Sequence, residues 1–210
     1  MLEACEIVGV NLFDVKFKTL GEITDIILGG TPDKKMPKYW ENGNIPWMSS
    51  GEVNKKIIYS TENFITQKGY DNSSATMVPK NSTVIALAGQ GKTRGLVARI
   101  KISLTTNQSL ATLIPKENLI NDYLYYYLQG QYIKLRDVSS GDGSRGGLNK
   151  SILKKYPILL PPLPVQEQVV KILDKFDTLI NDINVGLPKE IELRQKQYEY
   201  YRERLLDLKK

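Results

Sequence analysis

The chain has no histidine at any of its 210 positions. A serine or cysteine nucleophile would therefore have no imidazole base, and a metal site built on imidazole ligands is excluded. The carboxylates are scattered along the sequence and lack the spacing of a metal-binding cluster. The sequence thus predicts no catalytic residue and no metal site.

Cysteine and long apolar runs are also scarce. Cys5 is the single cysteine, which excludes an internal disulfide framework and fits a reducing cytoplasm. We expect Cys5 to be a small apolar side chain, either buried or loosely held. No apolar run approaches the roughly 18 residues of a membrane-spanning helix, and the first residues do not read as a signal peptide. We therefore expect a soluble cytoplasmic protein without a membrane partner.

The basic excess is confined to one part of the sequence. Residues 1–160 contain 20 basic and 14 acidic side chains, whereas residues 161–210 contain nine of each. A basic segment suits phosphate groups and a neutral helical one suits a protein partner. Surface lysines also keep many proteins soluble, so charge alone does not decide the function.

Short apolar runs separated by glycine, proline and asparagine predict a mixed β-sheet. The predicted strands lie at residues 23–28, 83–88, 95–102, 109–114 and 156–160. Two helices are predicted inside this part, one at 67–73 with Thr66 as its cap and one from a cap at Asn121 to Leu135. Residues 1–19 show no clear pattern and are interpreted as a loosely ordered lead-in. The expected fold is α+β, with a β-rich domain at 1–160 followed by helices at 161–210.

The C-terminal part has an apolar stripe in steps of four and three residues, which is typical of a helix that packs on another helix. A phase shift at Gly186-Leu187-Pro188 predicts two helices of roughly 18 and 20 residues, about 27 and 30 Å long. They could close as a hairpin on their own domain, but we favour a coiled-coil dimerisation arm. The predicted interface residues are Val169, Ile172, Phe176, Leu179, Ile183, Tyr198, Tyr201 and Leu205.

A near match to a nucleotide-binding P-loop lies between two predicted strands, at Gly91-Lys92-Thr93. The P-loop pattern requires glycine at the position of Ala86, and phosphate binding by a P-loop requires a helix directly after the lysine and threonine. The residues that follow, Gly95 to Ile100, are strand-like instead. A nucleotide-using enzyme therefore stays an alternative, and a glycine-rich hairpin is the preferred interpretation.

Polar and basic side chains in such loops suit DNA, since lysine and arginine bind phosphate or guanine and glutamine binds adenine. An ordinary solvent-exposed basic surface is the alternative for each of them. Trp40, Trp47 and the tyrosines of the internal helix are interpreted as packing residues. The candidate DNA-binding residues are Lys34, Lys35, Lys38, Ser49, Ser50, Gln90, Lys92, Thr93, Arg94, Arg145 and Lys150.

Several stretches resemble the specificity subunits of type I restriction-modification enzymes. They are Gly29-Gly30-Thr31-Pro32, Gly43-Asn44-Ile45-Pro46-Trp47, Asn107-Gln108, Leu160 to Gln168 and Arg194 to Arg202. The resemblance covers nearly the whole chain in the family's order. It departs in one respect, because such subunits usually carry two recognition domains and two helical regions, and this chain has one of each.

The resemblance implies a non-catalytic DNA specificity subunit, with a target recognition domain at 1–160 and a helical dimerisation or spacer region at 161–210. Its implied partners are double-stranded DNA, methyltransferase (modification) subunits, a restriction subunit and a second copy of the chain. S-adenosylmethionine, ATP and Mg²⁺ would then belong to the partner subunits, so no cofactor is expected here. Two-fold pairing would predict a palindromic, bipartite target. A helical scaffold that does not read DNA remains the other alternative.

Overall fold

The computed structural model describes residues 2–10, 15–89, 93–139, 147–178, 192–193 and 196–197. The predicted α+β class is confirmed, and the chain divides into two compact units, Met1–Val169 and Val170–Lys210. The strands are β1 (Lys16–Thr19), β2 (Thr24–Leu28), β3 (Ile45–Met48), β4 (Ile57–Ile58), β5 (Asn63–Ile65), β6 (Ser82–Ala86), β7 (Val97–Ile100), β8 (Thr105–Thr106), β9 (Leu110–Pro115) and β10 (Pro157–Leu160). The helices are α1 (Leu2–Val8), α2 (Leu20–Ile23), α3 (Gln67–Asp71), α4 (Asn121–Gly130), α5 (Tyr132–Val138) and α6 (Lys150–Lys155), and two 3₁₀ helices cover Pro37–Tyr39 and Ser50–Lys55. Residues 163–178 are helical as well.

A five-stranded sheet with the order β2-β9-β6-β7-β4 forms the centre of the first unit. Every residue of β6 and β7 is buried, so both faces of these central strands are covered, and their polar side chains Ser82, Thr83 and Arg99 lie in the interior as well. Helix α4 packs on β6 and β7. Arg99 of β7 lies under this helix, 4.5 Å from the ring centroid of Tyr125, and its Nη1 is 3.3 Å from a carboxylate oxygen of Asp122. The buried charge is therefore paired and stacked.

A smaller sheet with the order β5-β3-β8 lies beside the first. Its core contains Trp47, Ile65 and Ala75. Strands β3 and β8 are parallel, with Trp47 opposite Thr105 and Met48 opposite Thr106, so their carboxyl ends lie side by side.

Residues 2–8 form α1 and residues 16–19 form β1, so the predicted loosely ordered lead-in is wrong for these described residues. Cys5 of α1 is buried against Val165, and β1 pairs antiparallel with β10, with Lys16 opposite Leu160. These contacts join residues about 150 positions apart, so a local sequence pattern cannot reveal them. Within the described ranges, no helix has the length and apolar character that crossing a membrane requires.

Helix boundaries were predicted with mixed success. Thr66 caps α3 as expected, since its Oγ1 accepts a hydrogen bond from the Gly69 N–H. Asn121 is not a cap, because its Oδ1 accepts a hydrogen bond from the Thr83 hydroxyl of β6 and the residue is already helical. The predicted helix to Leu135 is also interrupted at Gln131, which separates α4 from α5.

Gln166 fastens the start of the C-terminal helix to the domain. The residue is fully buried, and its Oε1 accepts a hydrogen bond from the Ile120 N–H at 2.9 Å. Its Nε2 donates to the carbonyl oxygens of Asn118 and Pro161, both at 2.8 Å. One buried side chain therefore makes hydrogen bonds to three backbone groups.

Replacing Gln166 with alanine should lower the free energy of unfolding by about 3 kcal/mol, because three hydrogen bonds of about 1 kcal/mol each are lost. Urea unfolding followed by circular dichroism measures this. Glu167→Ala is the matched control, since residue 167 is exposed on the same helical turn. Equal unfolding midpoints for the two variants would contradict the role given to Gln166.

Candidate nucleic-acid interface

Several loops meet at one end of the five-stranded sheet. The registers place Leu28 of β2 opposite Ala111 of β9, Ala86 of β6 opposite Leu110 of β9, and Ile85 of β6 opposite Val97 of β7. The loop that follows β2, the hairpin between β6 and β7 and the loop that precedes β9 therefore leave the sheet at the same end. We call this side the loop end.

Close backbone packing holds the loop after β2 at the loop end. The N–H of Gly30 donates to the Thr106 carbonyl oxygen at 2.8 Å. A Cβ at Gly29 would overlap the carbonyl oxygens of Thr106 and Asn107, and one at Gly30 would overlap the backbone of Ser74 and Ala75. Neither position has room for a side chain, which accounts physically for the glycine pair.

The stretches that carry the family resemblance meet at this contact. The Trp47 indole N–H donates to the Gly30 carbonyl oxygen at 2.9 Å. The N–H of Asn107 donates to the Met48 carbonyl oxygen at 3.0 Å, and the Thr31 hydroxyl is hydrogen-bonded to the side chain of Gln108. Residues from three separate motifs thus form one structural cluster.

An open cleft of about 450 Å³ lies beside this cluster. Two indole rings form part of it, with Trp40 and Trp47 in an edge-to-face pair whose centroids are 5.0 Å apart. This geometry confirms that both tryptophans pack, as the sequence predicted. The lining residues are Lys34, Trp40, Trp47, Ser49, Ser50, Asn63 and Asn107.

The carboxylate behind this cleft is neutralised. Glu52 is buried and accepts hydrogen bonds from the Ser49 N–H at 2.9 Å and from the Lys55 ammonium at 3.1 Å. A hydrogen bond to Glu62 and a smaller effect of the hydrogen bond to Glu52 raise the pKa of Lys55. Glu52 therefore holds the 3₁₀ helix in place and does not present free negative charge to the cleft.

The glycine-rich hairpin between β6 and β7 is not a P-loop. Residues 93–95 form a turn and Val97 begins a strand, so the helix that phosphate binding requires after Thr93 is missing. The alternative of a nucleotide-using enzyme built on Gly91-Lys92-Thr93 is therefore wrong, because the structure has a strand where such a site requires a helix. Gly89 and Gly95 have φ values of +114° and +86°, a backbone conformation that glycine adopts readily.

Contacts also tie this hairpin to the loop that follows α5. Arg94 Nη1 donates to the Ser139 hydroxyl at 3.0 Å and to its carbonyl oxygen at 3.3 Å. The N–H of Leu148 donates to the Leu87 carbonyl oxygen at 3.1 Å. The residues on both sides of segment 140–146 are therefore held against the β6–β7 hairpin.

The structure places the predicted binding residues as follows. Lys34 and Lys35 are exposed in the loop after β2, and Lys38 is exposed in the 3₁₀ helix Pro37–Tyr39. Ser49 and Ser50 begin the 3₁₀ helix after β3, Thr93 and Arg94 lie in the β6–β7 hairpin, and Lys150 is exposed at the start of α6. Gln90, Lys92 and Arg145 lie outside the described residues. Of the set, Lys34, Ser49 and Ser50 line one cleft.

Two cleft residues were not predicted as binding residues. Asn63 is exposed at the start of β5 and pairs with Trp47 of β3. Asn107 belongs to a motif that carries the family resemblance but is not among the predicted binding residues. Their position depends on the pairing of β3 with β5 and β8, strands of two to four residues that give almost no pattern in sequence.

The predicted interface residues of the C-terminal part are described only at its start. Val169 packs against the cluster of Cys5 and Val165 within the first unit. Ile172 is half-buried, and Phe176 is 57% exposed. Leu179, Ile183, Tyr198, Tyr201 and Leu205 lie outside the described residues.

A sequence profile described as the type I restriction modification DNA specificity domain matches residues 13–193. The chain belongs to this family. The EcoR124I/EcoR124II specificity subunit of Escherichia coli is 41% identical over 200 residues, which are 94% of this chain and 49% of that subunit. The MjaIX specificity subunit of Methanocaldococcus jannaschii is 33% identical over 172 residues, 80% of this chain and 38% of that subunit. This specificity-domain chain therefore spans about half the length of these relatives.

Solved structures share the fold of this specificity domain. The HsdS subunit from Thermoanaerobacter tengcongensis matches with a TM-score of 0.65 and 21% identity, over 88% of this chain and 44% of that one. The S subunit of the type I restriction-modification system from M. genitalium matches with a TM-score of 0.60 and 16% identity, over 93% and 46% of the two chains. At identities of 21% and 16%, these two matches show a shared fold and nothing more specific.

Replacing Gly30 with alanine should destabilise the specificity domain by about 3 kcal/mol or more, since the new methyl group overlaps backbone that has no free space. Thermal and urea unfolding measure the loss. Gly51→Ala is the matched control, because a Cβ there would meet only the Ser49 Oγ at 4.0 Å. If both variants unfold like the unmodified chain, the close packing described at Gly30 is wrong.

Proposed function

We propose that this chain is a DNA-sequence-recognition subunit of a type I restriction-modification enzyme and that its loop end contacts duplex DNA. The observation that carries the proposal is the convergence of loops from distant parts of the chain on one side of the sheet, in a member of the specificity-domain family. Polar and basic loop side chains on a rigid sheet suit the reading of a duplex.

In this proposal the chain performs no chemical step. Methyltransferase subunits and a restriction subunit act at the site that this chain selects, and S-adenosylmethionine, ATP and Mg²⁺ belong to those partners. The named function of the relatives and the basic balance of residues 1–160 support this assignment. The predicted division into a recognition domain at 1–160 and a helical region at 161–210 belongs to the same proposal.

We further propose that the C-terminal helices pair two copies of the chain. The chain spans about half the length of these relatives. In this proposal, a pair of chains presents the two recognition domains that specificity subunits usually carry. Phe176 supports this arrangement because it is a large apolar side chain, 57% exposed, on the predicted stripe. Pairing about a two-fold axis gives a palindromic, bipartite target.

Selection of random DNA duplexes by the purified chain tests the function. We expect enrichment of two inverted half-sites with a fixed gap, because each copy reads one half-site. We also expect an affinity that falls as salt rises, because phosphate contacts release bound counterions. Sequencing after several rounds, with binding titrations at three salt concentrations, measures both effects.

The other outcomes of the selection separate the alternatives. A single unsymmetric half-site would support DNA reading and contradict the pairing. Absence of any enrichment, or an affinity independent of salt, would contradict DNA reading and favour a helical scaffold.

Replacing Phe176 with aspartate should dissociate the pair, because the substitution places an unpaired charge in an apolar seam. We expect the mass in solution, measured by light scattering, to fall to that of a single chain. Thr178→Asp is the control, since it adds the same charge two residues away at an exposed position. A Phe176→Asp protein with the mass of two chains would remove Phe176 from the seam.

A further inference from the structure

The cleft lined by Lys34, Ser50, Asn63 and Asn107 has a shape that suits one part of a duplex better than another. The major groove, about 12 Å wide, admits a projecting helix or a two-stranded ribbon. A concave surface cannot enter it in this way. The sugar–phosphate strand is the projecting part of DNA, and a cleft can enclose it.

Two side-chain amides and one ammonium group supply hydrogen-bond donors to the cleft. The Oδ1 atom of Asn107 accepts a hydrogen bond from the Ser109 N–H at 3.1 Å, which fixes the orientation of the amide and leaves Nδ2 as the unused group. Among the described residues, neither Asn107 Nδ2 nor the side-chain amide of Asn63 has a hydrogen-bond partner. The Lys34 ammonium is exposed and adds a positive charge.

Phosphate oxygens only accept hydrogen bonds, so a cleft rich in donors is complementary to them. Among the nearby carboxylates, Glu52 is buried and bonded to Lys55 and Ser49, and Glu62 is paired with Lys55 at 2.8 Å. Asp33 is exposed and accepts a hydrogen bond from the Lys35 N–H at 2.9 Å, and the exposed side chains of Lys34 and Lys35 supply positive charge beside it. The two indole N–H groups are committed to the carbonyl oxygens of Asp33 and Gly30. The walls of the cleft are therefore fixed while its donors remain available.

We propose that this cleft binds the sugar–phosphate backbone of DNA and sets the position of the domain on the duplex, while other groups of the loop end read bases. Asn63, Asn107 and Lys34 are the donors to the phosphate. The assignment rests on the proposed function, and it divides that function between two parts of one surface.

The test compares Asn63→Asp with Asn81→Asp in the full chain. Residue 81 lies at the opposite end of β6, where its N–H bonds the Ile100 carbonyl oxygen, so the control makes the same chemical change away from the cleft. The probes are the duplex that the unmodified chain enriches and a duplex of scrambled sequence. We expect Asn63→Asp to weaken binding to both by the same factor, roughly tenfold, because a carboxylate repels phosphate. Its enriched motif should be unchanged, and Asn81→Asp should bind like the unmodified chain.

A second measurement locates the phosphate. Each duplex of a series carries one neutral methylphosphonate at a different position. We expect one position at which this change weakens binding by the unmodified chain. The same change should not weaken binding by Asn63→Ala further, because both changes remove the same contact. Asn63→Ala also replaces the aspartate variant if that protein is less stable on heating.

The outcomes separate this inference from the function on which it rests. A changed base at one position of the motif in either Asn63 variant would overturn the inference and make Asn63 a base-reading residue. Unchanged affinities for both duplexes would overturn it as well. Failure of the unmodified chain to bind any duplex would overturn the proposed function itself.

Discussion

The approach of two backbone segments at Gly29 and Gly30 is the constraint on which the loop end depends. Peptide groups of the loop after β2 lie directly against those of residues 106–107 and 74–75, without side chains between them. Because the five-stranded and three-stranded sheets are joined through this contact, the orientation of the cleft follows from it. A binding surface built from several loops needs such a fixed relation between them to present one shape to a partner.

The sequence predicted those features that depend on local chemistry. The predictions of a helix cap at Thr66 and of a strand, rather than a helix, after Gly95 are confirmed. Both features depend on a few neighbouring residues. The prediction of a helix cap at Asn121 is wrong because its side-chain oxygen accepts a hydrogen bond from a hydroxyl group on a distant strand. The burial of Cys5 was likewise decided by a residue far along the chain.

The candidate surface was only partly predictable for the same reason. Basic and glycine-rich loops can be found by composition, and Lys34 and the β6–β7 hairpin are predicted candidates for this reason. Their gathering on one side follows from strand order and register. Asn63 could not be found by inspection, since an exposed asparagine is ordinary until the pairing of β5 with β3 places it beside Trp47. The structure also gives Gln166, which follows the proline-rich segment Pro161 to Pro164, a specific role in fastening the start of the helix to the domain.

The pairing of β1 with β10 has a consequence for how such a chain can change. Lys16 lies opposite Leu160, so the polypeptide comes into the β-rich unit and goes out of it at neighbouring points. Everything between these two strands forms a cassette whose ends are held together by their own ladder. Segments of this kind tolerate transfer between hosts, because the flanking chain experiences the same two attachment points whatever lies between. A new set of loops can thus be acquired in one exchange, with the helical part left as it was.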